Sequence, residues 1–400
     1  MKVLVVNAGS SSLKFQLFDM KNESVLAKGN CEKIGIDGSF IGYTINGVKK
    51  EVVTPMPDHN VAMSLVLKLL TDEKEGVISS LQEIQAVGHR VLHGGEIYTD
   101  SVLVDEKVLK NLESLKPLGP LHMPANIAGI YACQKAMPNV PNVAVFDTAF
   151  HAQMPKEAFL YAVPYEAYED WKVRRYGFHG TSHKFVSGEV AKVLGKNVED
   201  LKIITVHLGN GSSVAAVKGG HSVDTSMGFT PLEGLIMGTR SGDVDGSVAG
   251  FLAEKEGLTA GEMVTYLNKK CGALGISGVS SDMRDINKAA EEGNERAKLV
   301  VPMMAYRIKK YIGSYIAAMN GVDAIVFTGG IGENQEDLRE LVLRDMDCFG
   351  IKIDVEKNNH LPRGTSEEIS TADSKVKVYR IPTNEELVIA RDTIRLSNLG

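Results

Sequence analysis

Four hundred residues are too many for one comfortable hydrophobic core, and at roughly 150 residues per domain the length points to two domains, three at most. Hydrophobic residues make up 44% and charged residues 24%, which excludes disorder, collagen and a disulfide scaffold. A net charge of −6 with dispersed basic residues argues against nucleic acid as a main partner, because a phosphate-backbone binder carries a basic excess or stripe. Cys31, Cys133, Cys271 and Cys348 lie far apart with no CxxC pair, which suits a reducing compartment. No apolar run reaches the ~18 residues that span a bilayer, and Val3–Val6 is too short for a signal-peptide core. The expectation is a cytoplasmic protein with no membrane partner.

The opening segment reads strand, turn, strand. Val3–Val6 is continuously apolar, as a strand buried on both faces requires, and Leu13–Phe18 alternates as a half-buried strand does. Between them lies Asn7-Ala8-Gly9-Ser10-Ser11-Ser12. Helices are expected over His59–Leu70 and Asn126–Met137, and buried strands over Ala86–Val91 and Val143–Asp147. Ile203–Val206, the turn His207–Ser213 and Val214–Val217 then repeat the opening pattern two hundred residues downstream. A helix over Ala297–Met319 carries Val300, Met303, Met304, Ile308, Tyr311, Ile312 and Tyr315 at helical spacing, which reads as core packing. The strand Asp323–Phe327 leads into Thr328-Gly329-Gly330-Ile331-Gly332-Glu333-Asn334. The fold class is α/β. Twin hairpins half a chain apart suit two related domains, each offering backbone N–H groups to a central site; a coincidence of Gly/Ser turns is an equal reading of the spacing alone.

Absences narrow the chemistry. The nearest run to a P-loop, Gly188 to Lys196, is followed by Asn197, and there is no GxGxxG after a strand, no GxSxG elbow and no HExxH. What remains is three glycine-rich turns, each after a buried strand. Their small residues let backbone amides approach an anion and form nests that suit phosphate. Ser10, Ser12 and Lys14 add hydroxyls and a cation at the first turn, and Gly329–Gly332 opens a helix whose dipole favours a nucleotide.

Val3 to Lys14 resembles the first signature of the acetate kinases, the acetokinase family, and His207 to Val214 resembles the second. Further matching runs are Gly88–Gly95, Phe146–His151, Arg175–His183, Asp224–Gly228, Gly238–Asp243 and Pro382–Glu386, so the likeness spans the chain. It implies two duplicated, ribonuclease H-like domains of the sugar kinase, Hsp70 and actin fold with a cleft between them. The division expected is 1–150, with a C-terminal helix over 386–400 packing back on it, and 151–385 as the nucleotide-binding domain. It also implies a homodimer that phosphorylates acetate reversibly with ATP and Mg²⁺ (Mn²⁺ as a substitute), giving acetyl phosphate and ADP. A propionate or butyrate kinase, or a nucleotide-driven binding protein on the same fold, stays open.

By the same resemblance Arg90 holds the acetate carboxylate and Arg240 the transferring phosphoryl group, while Asp147 and Glu385 position magnesium, with Glu385 preferred to Glu386. His179 hydrogen-bonds the phosphoryl group in the transition state, Asn7 approaches the γ-phosphate or the metal, and His122 and His207 position the reactants. Lys14, His207, Gly209, Asn210, Gly211, Asp282, Met283, Arg284, Gly330, Ile331, Gly332 and Asn334 are the implied nucleotide contacts, with Met283 where many members carry an aromatic residue. Val91, Leu121, Phe178 and Pro231 correspond to an apolar pocket for the methyl group. Read from the residues alone, either arginine is as readily a structural ion pair, Asp147 a cap, and the four apolar residues core. His179 and His183, four apart, do not read as a metal pair, because Gly177 and Gly180 indicate a loop start and no third ligand follows.

Overall fold

In the computed structural model, which describes residues 1–397, the chain divides into two units: Met1–Ala152 together with the chain from Asn384 onward, and Gln153–Thr383. The first unit holds an eight-stranded sheet of β1 (Lys2–Ala8), β2 (Ser12–Asp19), β3 (Ser24–Glu32), β4 (Phe40–Ile45), β5 (Val48–Val53), β6 (Ile84–Val91), β7 (Val102–Leu103) and β8 (Asn142–Phe146), in the order β5-β4-β3-β2-β1-β6-β8-β7. Strands β1, β6 and β8 run parallel, and β2 to β5 return antiparallel.

Continuous burial of β1 has the cause read from its sequence, since both faces are covered. Leu4 and Val6 pack with Met63, Val66 and Leu67 of the helix His59–Leu70 and with Ala132 and Cys133 of the helix Met123–Ala136. That second helix starts three residues before the expected Asn126, with Pro124 in its first turn, where a missing N–H costs nothing. On the opposite face Gly88, paired with Val5, receives the helix Glu385–Leu396. A Cβ on Gly88 would lie 2.3 Å from Thr393 Oγ1 and 2.6 Å from Ile389 Cγ2, so the absent side chain is what lets the helix seat. The helix expected over 386–400 thus begins at Glu385 and ends at Leu396; residues 398–400 lie outside the described residues.

In the second unit β9 (Lys202–Leu208), β10 (Ser212–Lys218), β11 (His221–Thr225), β12 (Ala324–Thr328), β13 (Glu367–Glu368) and β14 (Lys377–Arg380) form a sheet in the order β11-β10-β9-β12-β14-β13. Here β9, β12 and β14 are parallel, and β10 and β11 antiparallel. The run β11-β10-β9-β12-β14 therefore repeats β3-β2-β1-β6-β8 in order and direction. The twin hairpins of the sequence are matching parts of one topology used twice, and the coincidence reading falls. The long helix is Glu295–Met319; Val300, Met304, Ile308, Ile312 and Tyr315 join Ile204, Val206, Ile325 and Phe327 in the core. Met303, counted with them in the sequence, is 42% exposed instead.

Replacing Gly88 by alanine should force the helix Glu385–Leu396 off the sheet and cost roughly 1–3 kcal/mol, the scale of overpacking a filled core. Calorimetry should record a lowered unfolding transition, while Gly330→Ala, where a Cβ meets nothing within 4 Å, should leave it in place.

Candidate active site

In the first unit, parallel β1, β6 and β8 end at the same sheet edge, the edge where open α/β sheets place ligands. Asn7, Arg90 and Asp147 are carried there. Asp147 is fully buried, and Arg90 grips it with both prongs of the guanidinium fork, Nε to Oδ1 at 2.9 Å and Nη2 to Oδ2 at 2.6 Å. Burial pushes the Asp147 carboxyl upward and the Arg90 charge opposes it; Asp147, then Glu385 and Glu386, holds Arg90 firmly charged. Asp147 is accordingly an arginine partner and not a cap. Each oxygen accepts one of those bonds, and the Nη1 end of Arg90 stays open for an incoming anion.

Glu385 opens its helix after Asn384, whose side chain accepts the N–H of Leu387. Its charge acts on Asp147 and Arg90 alike, whereas Glu386 lines a cavity of about 480 Å³ together with Asn7 and Lys14. His122 begins the helix Met123–Ala136, and its charge also reaches Asp147. Of the expected methyl-pocket residues in this unit, Val91 is buried in β6, but Leu121 is 68% exposed.

The second unit gathers a different set. The β9–β10 turn spends one of its amides on itself, since Gly209 N–H donates to the Gly211 carbonyl at 3.0 Å, leaving those of Asn210 and Gly211. His179 precedes the helix Gly180–Val193 in the left-handed region at φ 55°, an uncommon and strained conformation for a side-chain-bearing residue. Its ring stacks on His207 at 4.3 Å between centroids. A Cβ placed on Gly211 would lie 3.4 Å from both His179 Nε2 and Arg240 Nη1, so both side chains converge on one point beside this turn.

Arg240 has no carboxylate. Its Nη1 reaches the Pro231 carbonyl at 3.3 Å and the Met237 sulfur at 3.8 Å, and burial lowers its pKa with nothing anionic to restore it. Arg175, by contrast, is an arginine fully used by the fold, bound to Glu233 at 2.6 Å and to the carbonyls of Thr225, Ser226 and Met227. The turn bearing Arg240 is clamped from behind. Cys271 N–H donates to Thr239 O, Leu274 N–H to Gly238 O and Ala273 N–H to Met237 O. Gly272 sits between them at φ 62°, where a Cβ would be 2.2 Å from Met237 O and 2.6 Å from Arg240 O.

Beside this turn a cavity of about 1160 Å³ is lined by Asn210, Asp282, Met283, Arg284, Gly330, Ile331 and Asn334 among others. Asp282 caps the helix Met283–Glu291 through the Arg284 N–H, and the Arg284 side chain holds its carboxyl at about 2. Met283 is largely buried in the core, so it offers the cavity an edge and no stacking platform. Gly332 faces inward, its carbonyl accepting from Arg339 Nη1, and His207, Gly209 and Gly211 do not line this cavity. Phe178 is buried.

Sequence reading passed over the hydroxyls. Ser213 Oγ hydrogen-bonds His179 Nδ1 and His183 Nε2, each at 2.8 Å, and Thr205 Oγ1 meets His183 Nδ1 at 2.7 Å. Ser182 Oγ joins His207 Nδ1 to Thr383 Oγ1, both at 2.8 Å. The available signal was Thr205, a lone hydroxyl inside the apolar run Ile203–Val206.

Residues 2–391 match the acetokinase family model. The chain belongs to the acetokinase family. It is 59% identical over 398 residues to an acetate kinase of Thermoanaerobacter pseudethanolicus, with 99% of each chain covered. An acetate kinase of Thermotoga maritima is also 59% identical, over 98% of each. Among solved structures, Porphyromonas gingivalis acetate kinase matches with a TM-score of 0.96 at 50% identity, and a Francisella tularensis propionate kinase with 0.92 at 39%, each over 99% of both chains. The duplicated two-domain fold expected from the resemblance is the fold of this family.

Gly272→Ala should displace the Arg240 turn by a fraction of an ångström to an ångström, and kcat should fall about tenfold to a hundredfold. KM for ATP should change little, because the 1160 Å³ cavity does not include this turn. Steady-state kinetics beside a circular-dichroism melt separates this outcome from simple unfolding.

Proposed function

We propose that this chain transfers the γ-phosphoryl group of ATP to acetate, reversibly and by direct in-line displacement, giving acetyl phosphate and ADP. A phosphotransferase with a carboxyl acceptor is what the family membership supports. The observation that carries the mechanism is Arg240, a half-buried guanidinium with no carboxylate, aimed with His179 at the open side of Gly211. Such a group costs free energy until an anion arrives.

The reaction brings a carboxylate against a triphosphate, so neutralisation and positioning are the main tasks and covalent catalysis is unnecessary. Arg240 meets the transferring phosphoryl group, and its charge gains most as equatorial charge accumulates in the transition state. His179 donates a hydrogen bond to the same group. The cavity lined by Asp282, Met283, Arg284, Gly330, Ile331 and Asn334 takes the nucleoside, and the free amides of Asn210 and Gly211 take phosphate oxygens. Arg90, fixed by Asp147, presents Nη1 to the acetate carboxylate. Acetate is already ionised at neutral pH and needs no general base.

For the metal, Asn7 and Glu385 offer hard oxygen donors, and Asp147, whose oxygens keep further lone pairs beside the two Arg90 bonds, positions it together with Glu385. Two protein ligands suit a cation that keeps water and phosphate oxygens as its remaining partners. Mg²⁺, or Mn²⁺ in its place, supplies charge neutralisation to the phosphate oxygens when bound. Val91 and Leu121 on the first unit, and separately Phe178 and Pro231 on the second, are proposed to meet the methyl group of the acid. A cytoplasmic location is supported by four free cysteines.

A homodimer is supported by apolar residues that the fold leaves uncovered on the second unit. Leu299, Met303 and Tyr306 recur along one side of the helix Glu295–Met319 and are 53%, 42% and 67% exposed, and Phe251 of the helix Gly246–Glu256 is 59% exposed. Tyr306→Glu should shift the light-scattering mass of the purified protein toward that of one chain; an unchanged single-chain mass in the unmutated protein would defeat the dimer.

With ATP and a divalent ion, a hydroxylamine trap should yield most hydroxamate from acetate in a panel with propionate and butyrate. A higher kcat/KM for a longer acid would reassign the substrate, since one methylene changes discrimination by only ~1–3 kcal/mol. ATP hydrolysis without trappable acyl phosphate would point to a nucleotide-driven binding protein. Arg240→Ala should lower kcat by roughly 10³-fold, the scale of an arginine that neutralises a phosphoryl transition state.

A further inference from the structure

His179, placed above at the transferring phosphoryl group, is the last member of a buried chain of hydrogen bonds. The chain runs from Thr205 Oγ1 to His183 Nδ1, across that ring to Nε2, through Ser213 Oγ, and ends on His179 Nδ1. Thr205, His183 and Ser213 are all fully buried. With neutral rings, only two senses also use the Ser213 hydroxyl proton within the chain, since two ring N–H groups donating to Ser213 would orphan it. In one, Thr205 donates to His183 Nδ1, His183 Nε2–H donates to Ser213, and Ser213 donates to His179 Nδ1. In the other every bond is reversed, and the Thr205 hydroxyl proton has no acceptor among the described residues.

A buried donor left without a partner is costly, whereas the first sense satisfies the protons of the three fully buried members, Thr205, His183 and Ser213, and turns only that of half-buried His179 outward. It also leaves the His179 proton on Nε2, the nitrogen that faces Arg240 Nη1 across the Gly211 turn. We propose that Thr205, through His183 and Ser213, is a positioning residue that holds His179 as the neutral Nε2–H tautomer. The ring therefore donates to a phosphoryl oxygen without first taking up a proton. Of the groups facing His179, the His207 ring stacks on it, and the Arg240 guanidinium opposes a second positive charge on the ring. Arg240 also favours a lone pair on Nε2 over a proton there, so the Thr205 proton is what holds the tautomer in the donating sense. The proposal rests on the placement of His179 at the phosphoryl group for its catalytic meaning, but the tautomer itself is independent of turnover.

The test is nitrogen NMR of protein labelled with ¹⁵N-histidine, with the His179 signals assigned by their loss in His179→Gln. Expected in the unmutated protein is a bare Nδ1 and a protonated Nε2 on His179. A proton on Nδ1 overturns the proposal, whatever the enzyme's activity; the expected tautomer in a protein without acyl-phosphate formation would uphold it and defeat the phosphoryl-transfer reading instead. Thr205→Val removes the proton that sets the direction, so only a lone pair against an N–H at His183 Nδ1 opposes the pull of Arg240; the share of Nδ1–H on His179 should rise and kcat at pH 8 should fall about twofold with KM for both substrates little changed. The ratio of variant to unmutated kcat should climb back as pH falls, because protonation restores Nε2–H. Thr205→Ser, which keeps the hydroxyl, should behave as the unmutated protein. A ratio that is flat with pH, or a serine variant no better than the valine one, also overturns it; should Thr205→Val fail to fold, the spectrum of the unmutated protein decides.

Discussion

The second unit holds a positive charge that has no counterion among the described residues. Arg240 is held half-buried against a carbonyl and a thioether, neither of which neutralises it. The fold tolerates this because the turn beneath it is pinned by backbone bonds from residues 271–274, which cost nothing electrostatically. Arg90 in the first unit represents the opposite solution. Its fork is committed to a buried aspartate, so its orientation is rigid and its Nη1 end stays open for a ligand. One arginine is kept hungry for an anion and the other is kept still. Phosphoryl transfer between two anions asks for both properties, and a single residue cannot supply them together.

These placements follow from strand direction more than from local sequence. Each unit puts three parallel strands in the middle of its sheet, and parallel strands deliver their last residues to one edge. Asn7, Arg90 and Asp147 are delivered this way in one unit, and the turns after β9 and β12 in the other. The antiparallel hairpin beside the first central strand supplies the glycine turn in both. The same scaffold therefore carries a salt bridge in one copy and a histidine–arginine cluster in the other, with no change in strand order.

Much of this was legible in the sequence. The strands Val3–Val6 and Ile203–Val206 announce themselves by unbroken apolar runs, and the two hairpins share a turn chemistry. What could not be read was pairing. Asp147 after a strand looks the same whether it caps, binds metal or holds Arg90, because the partner lies 57 residues away and is chosen by the parallel register of β6 and β8. Leu121 reads as core from its residue type alone and is exposed; Met303 reads as core and is exposed, since a helical stripe is broader than the face that packs. The hydroxyl relay was hidden for a related reason: Thr205, His183 and Ser213 are separated in sequence and meet only when β9, β10 and the helix Gly180–Val193 are assembled.

The helix Glu385–Leu396 belongs to the first unit although more than two hundred residues of the second unit precede it. During synthesis the N-terminal sheet must therefore wait, with the Gly88 side of β6 bare, until the second unit has been made. The apolar face exposed in that interval is a natural client surface for a chaperone. The first unit is thus completed only once the whole of the second has been made, and Glu385 reaches its station last of the site residues in that unit.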